Sequence, residues 1–292
     1  VVGMTSAKQV LKNRGALLGS IGVTIFVATA IFAPWIAPYD PNELNLLARL
    51  DAPSVTNWLG TDQFGRDIFS RIVWGSRTSL IVATSALGLS AVAGTLIGAV
   101  AGFYSHRLEE LIMRFVDILL SFPDILLAIA ITTIMRPGLW STILAIGVYN
   151  LPQVIRVAHG SVLAVRERQY IEGARAIGLK RHQILFKYVL PNSLSPIVVL
   201  VTVRLAASIM TAAGLSFLGV GVQPPTPEWG AMISEARTYI VTAPNLSIFP
   251  GVAILLTVIS LNLLGDGLND VLNPRLKAAR HSVGVKVGEQ ET

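Results

Sequence analysis

The chain has 292 residues, of which 52% are hydrophobic and 14% charged, and its formal net charge is +6. A soluble domain carries roughly 25% charged residues, so this composition excludes water as the main solvent. Cysteine is absent, which excludes disulfides and thiolate metal sites, and the four histidines lack the spacing of metal ligands and are expected in solvated loops. We therefore expect a membrane protein that holds no metal or cofactor of its own.

Six apolar runs are each long enough to cross a bilayer as a helix. Crossing a hydrocarbon core of about 30 Å takes roughly 20 apolar residues, and the runs lack the alternating pattern of barrel strands. The predicted spans cover residues 17–36, 80–103, 111–135, 139–157, 197–220 and 248–264. The sequence therefore predicts an all-α membrane protein with six transmembrane helices in one domain, residues 1–292.

Lys and Arg are distributed unevenly between the two sides that six crossings would define. Of the 23 Lys and Arg residues, 15 lie on the side of the termini and the 159–193 loop, six lie on the other side, and Arg114 and Arg204 fall within spans. Because such residues accumulate in cytoplasmic loops, we expect both termini and the 159–193 loop in the cytoplasm. Anionic lipid explains the basic character without nucleic acid.

The 38–77 segment between the first two spans is expected to be an external loop that folds on its own. Its second half places Phe64, Ile68 and Ile72 at four-residue spacing with charges between them. This spacing predicts a short helix lying on the membrane surface.

The second span carries three glycines on one helical face, at Gly94, Gly98 and Gly102. Small residues at this spacing let another helix approach closely. The pattern predicts a tight helix contact, either within the chain or with a partner chain.

Charged residues inside the predicted spans are candidates for a pore or a gate, because intramembrane charges are expensive and often functional. The third span contains Arg114, Asp117 and Asp124, the last beside a predicted kink at Pro123. An alternative for Arg114 and Asp117 is an ion pair at the membrane interface. Arg204 in the fifth span either reaches the inner interface or lines the pore.

The 159–193 segment is rich in charged residues, but its apolar residues recur at helical spacing. Four apolar residues share one helical face: Tyr170, Ile171, Ala174 and Ile177. Gly178 is expected to end that helix, and a second helix is expected over 181–190 before Pro191 stops it. An apolar face outside the membrane needs a covering surface, which could be the protein itself, lipid headgroups or a partner.

One motif in this segment resembles the EAA loop of ABC importer permeases. Glu172-Gly173-Ala174 is followed by Gly178 and, after nine further residues, by the run Tyr188-Val189-Leu190-Pro191. Gly173 and Tyr188 depart from the usual Ala and Ile of the family. The resemblance implies a coupling helix that docks on an ATPase subunit through residues Tyr170, Glu172, Gly173, Ala174, Gly178, Leu190 and Pro191.

Further segments are similar to the second permease of dipeptide, oligopeptide and nickel systems. These segments are Leu59–Asp62, Gly65–Asp67, Leu215–Gly219, Gln223–Pro227, Trp229–Gly230, Leu264–Asp266 and Asn273–Arg275. Ala212 stands where many relatives carry an acidic residue, so a pore function for that acid is not expected here. The resemblance implies the type I ABC importer permease fold, with a cytoplasmic coupling helix, in a bacterial inner membrane.

The resemblance also implies a non-catalytic subunit with several partners. These are a homologous second permease, two ATP-binding subunits, an extracytoplasmic substrate-binding protein and the lipid bilayer. Gly173–Gly178 has the glycine interval of a phosphate loop but no following Lys-Ser or Lys-Thr, so ATP and Mg²⁺ are expected on the ATPase subunits. Dipeptides or oligopeptides are the expected cargo, with nickel complexes or oligosaccharides next. A secondary transporter or channel, with Asp124 as its intramembrane acid, is the alternative class.

Overall fold

The computed structural model describes residues 14–272, with side-chain surroundings for residues 14–269. The expectations for both termini and for Asn273–Arg275 lie outside this range. Apart from one isolated bridge between Thr61 and Asp67, the regular structure of the described residues is helical. The α-helices are α1 (Arg14–Ile31), α2 (Ala33–Ile36), α3 (Ile68–Phe103), α4 (His106–Ser121), α5 (Asp124–Met135), α6 (Leu139–Arg166), α7 (Gln169–Ala176), α8 (Arg181–Ile184), α9 (Leu190–Phe217), α10 (Trp229–Glu235) and α11 (Asn245–Leu272).

Four helical stretches within the described residues are long and apolar enough to cross a membrane. They are α1, α3, the stretch Arg181–Phe217 and most of α11. The pair α4 and α5 would be a fifth, but its two helices meet at 93°. The kink predicted at Pro123 within the 111–135 span is therefore a break between two helices. Phe122 and Pro123 separate the two helices with extended backbone, as expected for a proline and the residue before it.

Helix α3 begins at Ile68, well before the predicted start of its span. Its 36 residues give a length of about 54 Å, which exceeds the hydrocarbon thickness of about 30 Å. The predicted separate surface helix is therefore wrong, because Ile68 and Ile72 belong to the first turns of α3. Ile68 packs in a core cluster with Trp229 and Leu246, so its spacing reflects contact with protein rather than with lipid.

The glycine face of α3 lies against α6. A Cβ atom on Gly98 would come within 2.5 Å of the Ile155 carbonyl oxygen, and one on Gly102 within 2.9 Å of the His159 carbonyl oxygen. Glycine is required because the two backbones approach this closely. The predicted tight contact is confirmed, and it lies within the chain.

The helix bundle has two ends that differ in composition. We call the end formed by residues 38–67 and 218–244 the loop end, and the end formed by α7 and the last turns of α3 and α6 the α7 end. Helix α1 leads from the α7 end to the loop end, since Ala16 lies beside Gly267 near the finish of α11.

The chain passes from α8 into α9 without a break at Pro191. A π-helical turn over Leu185–Val189 joins the two helices, and α9 continues through Pro191 to Phe217. The prediction that Pro191 ends a helix is therefore wrong. A proline disturbs the regular α-helical hydrogen bonding of the preceding turn, and here that turn is already widened. Asn192 Nδ2 donates to the Tyr188 carbonyl oxygen at 2.6 Å.

Candidate functional site: α7 and the helices that support it

Helix α7 is attached to the bundle by its apolar side. Ile171 has an exposed fraction of 0% and Ala174 is buried beside it. Both belong to a cluster that includes Phe103 of α3, Val162 of α6 and Leu185 of the π-helical turn. Burying an isoleucine side chain contributes about 1.5–3 kcal/mol. Ile171 and Ala174 therefore attach the inner side of α7 to the bundle.

The outer side of α7 presents both apolar and charged groups. Ile177 has an exposed fraction of 77% and Tyr170 is half exposed, while Glu172 and Arg175 are also exposed. The apolar face that the sequence predicted is therefore divided. Its inner residues hold α7 to the chain, and its outer residues are free to contact another surface.

Gly178 gives α7 a sharp end. Its φ is +81°, in the left-handed region that side chains with a Cβ adopt at a cost. Its N–H donates to the Arg175 carbonyl oxygen at 3.0 Å, and the Leu179 N–H donates to the Ala174 carbonyl oxygen at 3.2 Å. These two hydrogen bonds form a Schellman motif, which explains why the motif requires glycine at this position.

An open cavity of about 640 Å³ lies beside α7, between it and the turn that follows α3. Arginines and glutamates line much of it, including Arg166, Glu172, Arg175 and Arg181. Arg166 Nη1 donates to the Gly102 carbonyl oxygen at 2.8 Å, which fixes the end of α6 to the end of α3. The base from which α7 projects is therefore firmly held.

Two further residues predicted for coupling lie at the start of α9. Leu190 is partly buried against the same apolar cluster as Ile171, whereas Pro191 is exposed. Gly173 is also exposed, and a Cβ atom there would meet no atom within 4 Å. The seven predicted residues thus share one end of the bundle, although only part of them reach its surface.

The candidate gate residues have different partners from those predicted. Arg114 pairs with Glu110 at 2.6 Å on the same helix, and Asp117 pairs with Arg156 of α6. The predicted ion pair between Arg114 and Asp117 is therefore wrong. Asp117 pairs instead with Arg156 of the neighbouring helix α6, and Arg114 pairs with Glu110, four residues before it on α4.

The remaining two candidates lie on other helices. Asp124 is exposed in the first turn of α5, where the helix dipole favours a negative charge. Arg204 lies near the middle of α9 and donates from Nη1 to the Tyr149 hydroxyl oxygen of α6 at 3.1 Å. One residue further along α6, the buried Asn150 donates to Ser208 Oγ of α9 at 3.2 Å. Sequence reasoning missed Asn150, although a polar residue close before Pro152 in an apolar run was a signal.

His159 was also misjudged as a solvated loop residue. Its side chain is mostly buried, and its Nε2 lies 3.0 Å from Glu109 Oε1 of α4. The sequence offered a signal in the strongly two-sided charge pattern of α4, but it did not identify the partner helix. The contact joins α4 to α6 near the α7 end.

The loop end contains a cluster of four charged side chains that the sequence did not reveal. Arg66 Nε lies 2.6 Å from Asp62 Oδ2, and Arg66 Nη2 lies 3.1 Å from Glu235 Oε2. Arg71, with a side chain only 1% exposed, approaches the same two carboxylates at 3.6 and 3.5 Å. Its Nη1 also donates to the Pro41 carbonyl oxygen at 3.0 Å. The cluster joins the segment before α3 to α10.

Comparison with known protein families gives two matches. The binding-protein-dependent transport system inner membrane component matches residues 94–278, which is more than half of the chain. The N-terminal TM domain of oligopeptide transport permease C matches residues 6–53.

Several transport permease proteins are similar to this chain over most of their length. The dipeptide transport system permease protein DppC of Alkalihalophilus pseudofirmus is 45% identical, covering 93% of this chain and 89% of that protein. The glutathione transport system permease protein GsiD of Pectobacterium atrosepticum is 44% identical, covering 93% and 90%. The di/tripeptide transport system permease protein DppC of Pseudomonas aeruginosa is 43% identical, covering 91% and 90%.

Two solved structures of the MetNI methionine ABC transporter in inward-facing conformations contain a chain of similar fold. The TM-scores are 0.57 and 0.59 at 20% identity, covering 70% of this chain and 96% or 98% of those chains. At this identity the likeness concerns the fold alone. The family matches and the relatives show that this chain belongs to the inner membrane components of binding-protein-dependent transport systems and is an ABC permease of the DppC and OppC type.

Proposed function

We propose that this chain is the transmembrane permease subunit of an ATP-driven importer of dipeptides or oligopeptides. It forms half of the translocation pore and couples to a separate ATPase subunit through α7. The observation that carries this proposal is the construction of α7, which is anchored by Ile171, ended by Gly178 and exposed along Tyr170, Glu172 and Ile177. A short helix held at one side leaves its other side available to a partner.

Six membrane crossings with the α7 end in the cytoplasm fit this function. Helix α6 would supply the sixth crossing, because its polar side chains are directed to protein partners: Asn150 to Ser208, and Arg156 to Asp117. Polar residues within a membrane are tolerated when they face a bundle interior or a water-filled path. The excess of Lys and Arg on this side supports a cytoplasmic α7 in a bacterial inner membrane.

The other subunits supply what this chain lacks. Two ATP-binding subunits would hold ATP and Mg²⁺, a homologous permease would complete the pore, and a substrate-binding protein would dock at the loop end. The named relatives transport dipeptides, di- and tripeptides, or glutathione, all of which are short peptides. This favours peptide over nickel complexes or oligosaccharides. Because the chain belongs to the ABC permease family, the alternative function of a secondary transporter or channel without an ATPase is no longer favoured.

Reporter fusions test the orientation. A reporter active only outside the cytoplasm should work after Asn57 and Trp229 and fail after His182. Activity after His182 would contradict the placement of α7 in the cytoplasm.

Transport by the reconstituted complex tests the function. Proteoliposomes that contain both permeases, the ATPase subunits and the binding protein should accumulate a labelled dipeptide when ATP is present. Glu172→Lys should reduce accumulation several-fold while the subunit still inserts, because it reverses a charge on the exposed side of α7. Glu110→Lys, which reverses a charge on exposed α4, is the matched control. Normal transport by Glu172→Lys would contradict the function of α7, and no accumulation by the parental complex would contradict the cargo.

A further inference from the structure

Helix α4 has little apolar packing of its own. Of its 16 residues, all of which the structure describes, only Val116 is fully buried. Two polar contacts instead join it to α6: a hydrogen bond between Glu109 and His159 at one end, and an ion pair between Asp117 and Arg156 near the other. Glu109 and Asp117 are eight positions apart, which is about 12 Å along α4. The two contacts therefore hold the orientation of α4 as well as its position.

The partners of α4 lie close to α7 along the chain. Arg156 and His159 are one turn apart on α6, and α6 continues as an unbroken helix to Arg166. Only Glu167 and Arg168 separate its end from α7. The same part of α6 is pressed against the glycine face of α3, where Gly98 and Gly102 allow direct backbone contact. A displacement of α7 therefore reaches the contacts with α4 through a stiff segment.

The other end of α4 leads to a sharp bend in the chain. Phe122 and Pro123 follow α4 directly, and α5 departs at 93°. The side of α4 that carries Glu110, Arg114 and Asp117 is exposed and charged, which lipid would not tolerate. That side needs water or another protein.

The ion pair between Asp117 and Arg156 is exposed to solvent. The exposed fractions of the Arg156 and Asp117 side chains are 52% and 63%, and ion pairs at such exposure contribute little to stability. A contact of this kind can still fix the direction in which a lightly packed helix points. It can also release and re-form without leaving a buried charge.

We propose that Arg156 and His159 are positioning residues that tie α4 to the helix carrying α7, so that movement of α7 is passed to α4 and to the bent α4–α5 pair. This inference rests on the proposed function of α7 as the coupling element. It assigns a function to two residues of α6 that lie outside the coupling motif itself.

The first test measures the mobility of α4 without requiring transport. The chain has no cysteine, so Leu111→Cys, at an exposed position of α4, provides a single site for a spin label in the full chain in lipid nanodiscs. The double substitution Arg156→Gln with His159→Gln should increase label mobility several-fold. Glu110→Gln breaks the pair with Arg114 inside α4 and should leave mobility at the parental value. Equal mobility in the double variant and the parent would overturn the proposal.

The second test measures the amount of labelled dipeptide transported per ATP hydrolysed by the complete complex. Asp117→Arg and Arg156→Asp should each lower this ratio several-fold while ATP hydrolysis continues, and combining them should restore it. Glu110→Gln should keep the parental ratio. Single variants at the parental ratio, or a combined variant without recovery, would overturn the proposal. A parental complex that transports no peptide would instead contradict the proposed function, and the mobility measurement would still decide the link between α4 and α6.

Discussion

The two ends of the helix bundle are held together by different forces. At the loop end, four charged side chains form a cluster of ion pairs, and their exposed fractions lie between 1% and 18%. These side chains are Asp62, Arg66, Arg71 and Glu235. At the α7 end, α7 is attached by Ile171 and Ala174, and α4 is joined to α6 by the Glu109–His159 hydrogen bond and by an ion pair of Asp117 with Arg156 that is more than half exposed.

The difference indicates which end can move at low free-energy cost. Removing one partner from a buried charge cluster leaves an uncompensated charge in a medium of low dielectric constant, so the loop end is expected to move as a unit. An exposed ion pair can be replaced by contacts with water with little change in free energy. The small apolar attachment of α7 can likewise be replaced by contacts with another surface. The α7 end is therefore suited to respond to a partner.

Arg71→Met at the loop end should give the largest loss of stability. It removes the most buried cation of the cluster and leaves two carboxylates with only Arg66, which we expect to lower the free energy of unfolding by about 3–5 kcal/mol. The measurement is thermal unfolding in detergent. Arg77→Met is the control, since Arg77 is exposed on the same helix and its guanidinium carbon lies 5.7 Å from the centre of the Trp74 ring. Equal losses in both variants would remove the proposed contrast between the ends.

Ile171→Ala at the α7 end should loosen α7 without unfolding the bundle. Replacing a fully buried isoleucine by alanine typically costs about 2–5 kcal/mol. We expect the attachment of α7 to the bundle to weaken by about that amount. Hydrogen exchange of the α7 amides should therefore accelerate strongly, while the unfolding temperature changes less than in Arg71→Met. Ile177→Ala, at an exposed position of the same segment, should have little effect. Unchanged protection in Ile171→Ala would mean that other contacts attach α7.

Two glycine substitutions in the same motif should act in opposite directions. Gly178→Ala places a Cβ on a residue with φ of +81° and should weaken the end of α7 by about 1–2 kcal/mol. Gly173→Ala adds a methyl group where no atom lies within 4 Å, and should strengthen the helix by roughly 0.5–1 kcal/mol. Hydrogen exchange of α7 measures both. The same sign for both would contradict the Schellman geometry described for Gly178.

Glu228→Gln should produce the smallest effect, seen as a change in pH dependence. Burial raises the pKa of Glu228, although hydrogen bonds from the backbone N–H groups of Ala231 and Gly230 and from Ser216 oppose that rise. A carboxyl group with a raised pKa in the folded state stabilises most below its unfolded value of about 4.3, and this stability is lost as pH rises through the folded-state pKa. Unfolding temperature measured against pH should therefore fall less steeply in Glu228→Gln. An unchanged slope would contradict the assignment.

The sequence by itself determined the features that depend on neighbouring residues. Membrane solvation selects long apolar runs, so the runs at 17–36, 80–103, 197–220 and 248–264 fall largely within α1, α3, α9 and α11. The need for a left-handed residue after a helix likewise explains why Gly178 was recognised as an end. In both cases the physical cause acts within a few residues, and a local pattern records it.

Only the tertiary structure decided which charged groups meet. Arg156 and Asp117 are 39 residues apart, His159 and Glu109 are 50 apart, and Arg66 and Glu235 are 169 apart. A charged residue can pair with any opposite charge that packing brings close, so sequence spacing favoured the wrong pair of Arg114 with Asp117. The bend at Pro123 had a local cause, but its angle of 93° depends on how α4 and α5 pack against α6.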